Sequence, residues 1–242
     1  MEGQPALSAS SPILDGKFTH YIDGRMEAYS HHQERMPSLM GKLIPEQVFT
    51  EVNYHKVIYE PILKDIRPFD KEKIMDHHFL NSRGAIARFD RGAIEIRVID
   101  VQECPRADMA ICNIISALLK ELVDEKFCSL DDQKSWHEHD LRSMFDEVIK
   151  HGSNSMINNG AYLKLFGQSG DEMTVSALWK AIYQNVKSSL DEDLRPAIEL
   201  ILSKGNLSER ILKHTSENPS SETILKTYKE LAACLQENRQ LD

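Results

Sequence analysis

The chain has 242 residues, of which 41% are hydrophobic and 28% charged, a composition typical of one large globular domain or two small ones. Its formal net charge of -9, with no window that combines Lys and Arg with aromatic residues, argues against nucleic acid as a partner. The longest apolar stretch, 109–123, is interrupted by polar and charged residues, which argues against a membrane span.

The cysteines and the first residues indicate a reducing compartment. The four cysteines are widely spaced and form no CxxC pair, which argues against a zinc site and against a disulfide framework. The start of the sequence has neither the basic segment nor the apolar run of a secretory signal. We therefore expect a cytoplasmic protein whose cysteines are reduced.

Three elements are predicted in the first half of the chain. Small residues alternate over 5–12 and end at a proline, which predicts a short strand that leads into a loop. Apolar residues recur at helical spacing from Pro45 to Pro68, which predicts a surface helix with Pro45 in its first turn. The runs 83–89 and 93–101 flank a short polar segment that ends in glycine, which predicts a β-hairpin.

Beyond Pro105 the pattern is helical. Apolar residues between 109 and 122 predict a long, mostly buried helix. Five more helices are predicted at 138–150, 174–190, 192–203, 207–214 and 221–237. The fold class expected from this order is α+β, with a small antiparallel sheet followed by a mostly helical C-terminal region.

The second strand of the predicted hairpin carries the residues with the most chemistry. The period of two places Glu95 and Arg97 on one face and the isoleucines at 94 and 96 on the other. Taken alone, the pattern favours a solvated face with a cross-strand ion pair. Asp100 would fall on the isoleucine face, where a structural hydrogen bond is its better interpretation.

Four segments occur in a characteristic order. They are ALSASSP at 6–12, GKFTHY at 16–21 with Arg25 beyond it, GAIEIRVID at 92–100 and GNLSERIL at 205–212. This order resembles the signatures of the glutamate-cysteine ligase family, including its plant-type and bacterial carboxylate-amine ligase branches. The resemblance covers nearly the whole chain, although His20 stands where many relatives carry glycine.

The resemblance implies an ATP-dependent carboxylate-amine ligase that forms a γ-glutamyl amide through an acyl phosphate. It implies ATP and Mg²⁺ or Mn²⁺ as cofactors, and glutamate and an amine such as cysteine as substrates. By the same resemblance Glu95 would be a metal ligand, and Arg97 and Arg25 would be catalytic contacts to phosphate. Arg88 and Thr19 would contact substrate or phosphate.

The resemblance also implies an organisation. Residues 1–128 would form part of a glutamine-synthetase-like catalytic sheet, and residues 129–242 a helical region. The chain would correspond to the C-terminal half of such an enzyme, so we expect an exposed sheet edge and either a homo-oligomer or association with a separate N-terminal half. The alternative is a non-catalytic binding or assembly module derived from the same fold.

The register of the hairpin decides which upstream arginine joins Glu95. A two- or four-residue loop centred between Arg91 and Gly92 pairs Arg88 with Glu95, and the resemblance favours this arginine. A three-residue loop pairs Ala87 with Glu95 instead and brings Arg83 to the Glu95 side. We expect Arg88 to be the site arginine.

Two histidine pairs are candidate metal ligands. The histidines at 137 and 139 point apart on a helix, so a solvated face is favoured over a metal site. The pair His77-His78 is interpreted in the same way.

Overall fold

The computed structural model describes residues 3–242 of the chain. These residues form two compact units that interleave along the sequence. The first unit takes in the chain up to Glu27, Ile99–Ser135 and Met144–Asp242, and the second takes in Ala28–Val98 and Trp136–Ser143. The boundary predicted after residue 128 lies inside the first unit, and the two-domain assignment stays a prediction.

The structure is mixed, and the predicted α+β class is confirmed. The α-helices of the described chain are α1 (Pro5–Ser8), α2 (Gly24–His31), α3 (Glu51–Tyr54), α4 (Glu60–Ile66), α5 (His77–Leu80), α6 (Pro105–Val123), α7 (Leu130–Lys134), α8 (Glu138–His151), α9 (Gly160–Lys164), α10 (Val175–Val186), α11 (Arg195–Lys204), α12 (Leu207–Thr215) and α13 (Ser221–Glu237). The strands are β1 (Ile13–Leu14), β2 (Lys17–Phe18), β3 (Ala85–Arg88), β4 (Ala93–Ile96), β5 (Met156–Ile157) and β6 (Met173–Thr174). They pair antiparallel as β1–β2, β3–β4 and β5–β6 in three separate sheets.

The predicted helices of the first unit are confirmed to within a few residues. The long helix after Pro105 is α6, which packs against α10 and α11. The last helix, α13, begins and ends at the predicted residues and packs against α12. Among residues 3–242, no helix combines the length and the apolar character that a membrane crossing needs.

A buried ion pair ties the C-terminal end of the chain into the first unit. Arg210 on α12 and Glu103 before α6 are both almost completely buried, and Arg210 Nη1 lies 2.5 Å from Glu103 Oε1. The same nitrogen donates to the carbonyl of Leu241, whose own N–H donates to Glu103. Leu241 is 2% exposed, so the chain end is part of the core.

The strand predicted at 5–12 is wrong, because residues 5–8 form the short helix α1. Pro5 suits the first turn of a helix, and the Ala9 N–H donates to the Pro5 carbonyl. All four helical residues are buried, so the alternation of small side chains reflects close packing on every side. Asn206 fixes the segment by donating to the Ala6 carbonyl.

The helix predicted from Pro45 is confirmed in kind, but its start is wrong. It begins at Glu51, because Thr50 caps it by accepting a hydrogen bond from the Asn53 N–H. The helical segment runs to Ile66 and includes a stretch of π-helix, His55–Tyr59, between α3 and α4. Its buried face forms the core of the second unit, made of Leu39, Tyr54, Ile58, Tyr59, Ile62, Ile66 and Leu80.

The hairpin is present, but its strands are shorter than predicted and its register differs from both predicted registers. Ile86 lies opposite Glu95, and the loop is a four-residue segment centred between Asp90 and Arg91. The Arg88 carbonyl accepts from the Arg91 N–H, and Arg88 also holds Asp90 in a two-point ion pair across the turn. These contacts explain why the loop is one residue earlier than the position of glycine suggested.

The two edges of the hairpin differ. On β3, the Ala87 N–H donates to the Tyr54 hydroxyl at 3.2 Å and the Tyr59 hydroxyl donates to the Ala87 carbonyl at 3.1 Å. On β4, no hydrogen bond from the described residues reaches the outward backbone groups of Ile94, whose side chain is 64% exposed. The expected exposed edge is therefore β4; that a partner covers it stays a prediction.

Candidate functional site

The hairpin of the second unit gathers Arg88, Glu95 and Arg97 on one face. Residues 86, 88, 93, 95 and 97 share a face because Ile86 is directly opposite Glu95. Arg88 is therefore the diagonal neighbour of Glu95, within reach of its long side chain. The expectation that Arg88 joins Glu95 is confirmed, although the predicted pairing is not.

The Glu95 carboxylate is held from both sides. Arg97 Nε lies 2.7 Å from Glu95 Oε1, and Arg88 Nη1 lies 3.0 Å from Glu95 Oε2. Arg88 uses its other nitrogens on Asp90, with both distances 3.0 Å. Arg97 Nη1 donates to the Asn81 carbonyl at 2.6 Å, which anchors the end of the guanidinium.

The opposite charges of this cluster keep one another ionised. The hydrogen bond from Arg97 holds the pKa of Glu95 below its usual range, and Arg88 adds to the effect. Arg88 likewise lowers the pKa of Asp90, and both carboxylates raise the pKa of Arg88 still further. Glu95 is consequently an anion at any physiological pH, which is the protonation state that a metal ligand requires.

Arg83 does not join Glu95, as it would with a three-residue hairpin loop. Its side chain is buried and forms a two-point ion pair with Glu46, at 2.5 Å from Nε and 2.6 Å from Nη2. Arg83 Nη1 donates to the Ser38 carbonyl at 3.2 Å. Arg83 therefore stabilises the loop before α3, and Arg88 is the upstream arginine that contacts Glu95.

The first unit holds the other catalytic candidate, Arg25, at the start of α2. Arg25 Nε lies 3.0 Å from Asp100 Oδ1, and the Ser11 hydroxyl donates to Asp100 Oδ2 at 2.6 Å. The expected structural hydrogen bond of Asp100 is confirmed, and its ion pair orients Arg25. Gly24 makes the approach possible, because a Cβ there would lie 2.8 Å from the Ser11 carbonyl oxygen.

Thr19 is engaged by its own loop. Its hydroxyl lies 3.2 Å from the Pro12 carbonyl and 3.0 Å from the Tyr21 carbonyl, and the Tyr21 N–H donates back to it. His20 follows with a φ of 64°, a left-handed conformation that glycine adopts without strain. Glycine would therefore suit this position better than histidine.

Asp23, which directly precedes α2 and Arg25, was not predicted from the sequence as a site residue. It is 0% exposed, and its Oδ1 caps α2 by accepting from the Met26 N–H at 2.9 Å. Desolvation raises its pKa from 3.8 to about 6, partly offset by Arg25. The available signal was local, since aspartate just before a helix is a common N-cap.

The hairpin cluster has the chemistry of a phosphate site. Two guanidinium groups provide N–H donors for phosphate oxygens and Glu95 provides one hard anionic ligand, while Asp90 balances the charge of Arg88. Magnesium is commonly held by one or two carboxylates, with phosphate oxygens and waters completing the octahedron. Arg88, Glu95 and Arg97 fit a metal-bound phosphate. The arginines would donate N–H groups to the phosphate, and each Glu95 oxygen that accepts from an arginine keeps a second lone pair for a metal ion.

Two comparisons with known proteins give matches that cover most of the chain. A family model described as glutamate-cysteine ligase family 2 matches residues 5–230. A protein from Archaeoglobus fulgidus, described as uncharacterized, is 28% identical over 239 residues, which make up 96% of this chain and 56% of that relative. The chain thus spans little more than half the length of the relative.

The family match defines a ligase-type enzyme family. The chain belongs to glutamate-cysteine ligase family 2, and the resemblance seen in its four ordered segments is confirmed.

Proposed function

We propose that the chain provides part of the active site of an ATP-dependent carboxylate-amine ligase, with glutamate as the carboxylate substrate. The observation that carries the proposal is the Glu95 carboxylate held between Arg88 and Arg97 on one face of the hairpin, in a chain of this family. Cysteine is one amine that the family name suggests. Because the chain spans 56% of its relative, the complete activity is proposed together with a further segment or a second copy.

The proposed reaction has two steps. An oxygen of the side-chain carboxylate attacks the γ-phosphorus of ATP, the bond to the β-phosphate oxygen breaks, and ADP leaves. The nitrogen of the amine then attacks the carbon of the acyl phosphate, inorganic phosphate leaves with the bonding electrons, and the amine loses a proton. The product is an amide, and negative charge is redistributed over phosphate oxygens in both steps.

The residues of the hairpin suit the charge changes of this reaction. Arg97 and Arg88 would contact phosphate oxygens, with Asp90 and Asn81 fixing the two guanidinium groups in place. Glu95 would contribute a ligand to Mg²⁺, which when bound neutralises charge on the nucleotide phosphates. Arg25 is proposed as a further phosphate contact, held in orientation by its ion pair with Asp100.

The test is ADP release with Mg-ATP, glutamate and cysteine, first for the chain alone and then with an added segment equivalent to the part of the Archaeoglobus fulgidus relative that this chain does not span. Glu95→Gln is expected to lower turnover about 100-fold, because it removes an anionic ligand with little change in volume. Glu230→Gln is the matched control, since Glu230 also pairs with an arginine, at 2.5 Å from Arg239 Nη2. Equal turnover of both variants at saturating Mg²⁺ would contradict the role of Glu95.

Arg97→Lys tests the guanidinium separately. Arg97 reaches Glu95 and the Asn81 carbonyl with two different nitrogens, which the single nitrogen of lysine cannot reproduce while also contacting a phosphate, so turnover is expected to fall about tenfold or more. Circular dichroism checks that the fold is retained. Activity equal to that of the wild type would remove Arg97 from the phosphate site.

One observation favours the alternative of a non-catalytic module. Both oxygens of Glu95 already contact arginines, so the cluster is also a complete ion-pair network without any ligand. A folded chain that binds no Mg-ATP by calorimetry and releases no ADP, alone or with the added segment, would support this alternative and reject the ligase.

A further inference from the structure

A cluster of side chains that could hold a metal ion lies in the second unit, separate from the Glu95 face. It is built at the start of α5 from Asp76, His77 and His78, and it packs against the π-helical stretch that carries His55 and Tyr59. One ligand atom from each of the three consecutive residues lies within 4.8 Å of the other two. The sequence pair interpreted as a solvated face is therefore part of a half-buried aromatic cluster.

The distances between the possible ligand atoms are close to those of a metal site. The rings of His77 and His78 have centroids 4.2 Å apart, and His77 Nδ1 lies 3.7 Å from Asp76 Oδ1. Tetrahedral zinc with bonds of about 2.0–2.1 Å needs ligand atoms roughly 3.4 Å apart. Small rotations of these partly exposed side chains would bring the ligand atoms to that separation. His55 lies beside the cluster, with its ring centroid 6.1 Å from that of His77.

The hydrogen bonds select the tautomer of His78. The Tyr59 hydroxyl donates to the Ala87 carbonyl, which has no proton to offer in return. With its proton used there, Tyr59 accepts from His78 Nδ1 at 2.9 Å. Nδ1 therefore carries the proton, and the lone pair of His78 is on Nε2, away from the tyrosine. Metal-binding histidines are commonly oriented by such a partner on the other ring nitrogen.

Asp76 contributes the anionic ligand of the cluster. The Asp76 carboxylate supplies a negative charge to offset a divalent cation, and its Oδ1 is already positioned by the His78 N–H at 2.8 Å.

We infer that Asp76, His77 and His78 bind a first-row divalent transition-metal ion of the Zn²⁺ or Co²⁺ type, with water completing the coordination. Two imidazoles and one carboxylate form a nitrogen-rich set, which selects these ions over Mg²⁺. The site is chemically distinct from the proposed nucleotide site, where Glu95 offers only oxygen. It does not depend on ligase activity, because nucleotide contributes no ligand to it.

The test is titration of the untagged chain with Zn²⁺ by calorimetry, without nucleotide. We expect one equivalent to bind with a Kd of about 1 µM or tighter, and a millimolar excess of Mg²⁺ not to compete. Co²⁺ added to the apoprotein should give the visible absorption of a tetrahedral or five-coordinate ion. A spectrum of octahedral Co²⁺, or Zn²⁺ binding that Mg²⁺ displaces, overturns the inference.

Single variants assign the ligands. His77→Gln, His78→Gln and Asp76→Asn are each expected to weaken Zn²⁺ binding about tenfold or more, and Asp76→Asn keeps the helix cap if a histidine variant fails to fold. His139→Gln is the matched control, because His139 is 77% exposed and lies 3.8 Å from the Asp140 carboxylate. Equal affinity of the wild type and all three ligand variants rejects the site.

Discussion

Replacing Asp23 with asparagine measures how much the burial of this carboxylate destabilises the folded chain. Asp23 is 0% exposed, and burial raises its pKa from 3.8 to about 6 despite the nearby Arg25. Its Oδ1 caps α2, and its Oδ2 has no hydrogen-bond partner among the described residues. Asparagine keeps the capping oxygen and resembles the protonated carboxyl, so the variant removes the charge with little other change.

The pH dependence follows from where Asp23 loses its proton. The unfolded chain ionises this group near 3.8, whereas the folded chain does so at about 6. Between these values the folded chain binds more protons, so its free energy of unfolding falls as pH rises. A rise of about two pH units in the pKa corresponds to about 3 kcal/mol. We therefore expect Asp23→Asn to be as stable as the wild type at about pH 4 and more stable by up to about 3 kcal/mol at about pH 7.5.

The assay is urea unfolding of wild type and variant over this pH range, with the difference in unfolding free energy plotted against pH. Taking the difference removes the contribution of other titrating groups, including Glu95, whose pKa is lowered. Asp15→Asn is the control, because Asp15 is exposed in the same unit. A difference that stays constant across the range, or a variant less stable at high pH, would refute the reasoning.

Further predictions concern packing in the first unit. Arg210→Met should lower the free energy of unfolding by about 3–5 kcal/mol in urea, because it leaves Glu103 buried without its counter-charge, and adding Glu103→Leu should recover most of the loss. Deleting Leu241 and everything after it removes a buried side chain and an acceptor of Arg210, so calorimetry should show a lower unfolding temperature; an unchanged one would contradict this. Gly24→Ala should cost about 1–3 kcal/mol of stability, measured by thermal unfolding, because its Cβ would meet Ser11.

Features controlled by neighbouring residues were predictable from the sequence. Thr174 caps α10 through a hydrogen bond from the Ala177 N–H, and Gly205 ends α11 with a φ of 100°; threonine and glycine are common residues at these two positions. The faces of β4 also followed from the period of two, which brought Glu95 and Arg97 together.

Features controlled by distant or side-chain contacts were not predictable. Helix α1 is held by Asn206, which lies 200 residues away in the sequence. The register of the hairpin depends on the ion pair of Arg88 with Asp90 across the turn, which competes with the preference for glycine at the third position. The contact of the His77 ring with Tyr59 joins two separate segments, so the spacing within either segment carries no signal of it.

The tyrosine hydroxyls that bond to β3 decide on which side of the hairpin a further strand can pair. Since Tyr54 and Tyr59 already occupy the outward backbone groups of Ala87, a new strand cannot add on that side without displacing both. A strand supplied by another segment or another copy must therefore add beside β4. That addition would turn β4 from an edge into an inner strand, cover Ile94, and place Glu95 on the inner strand of an enlarged sheet, with neighbours on both sides.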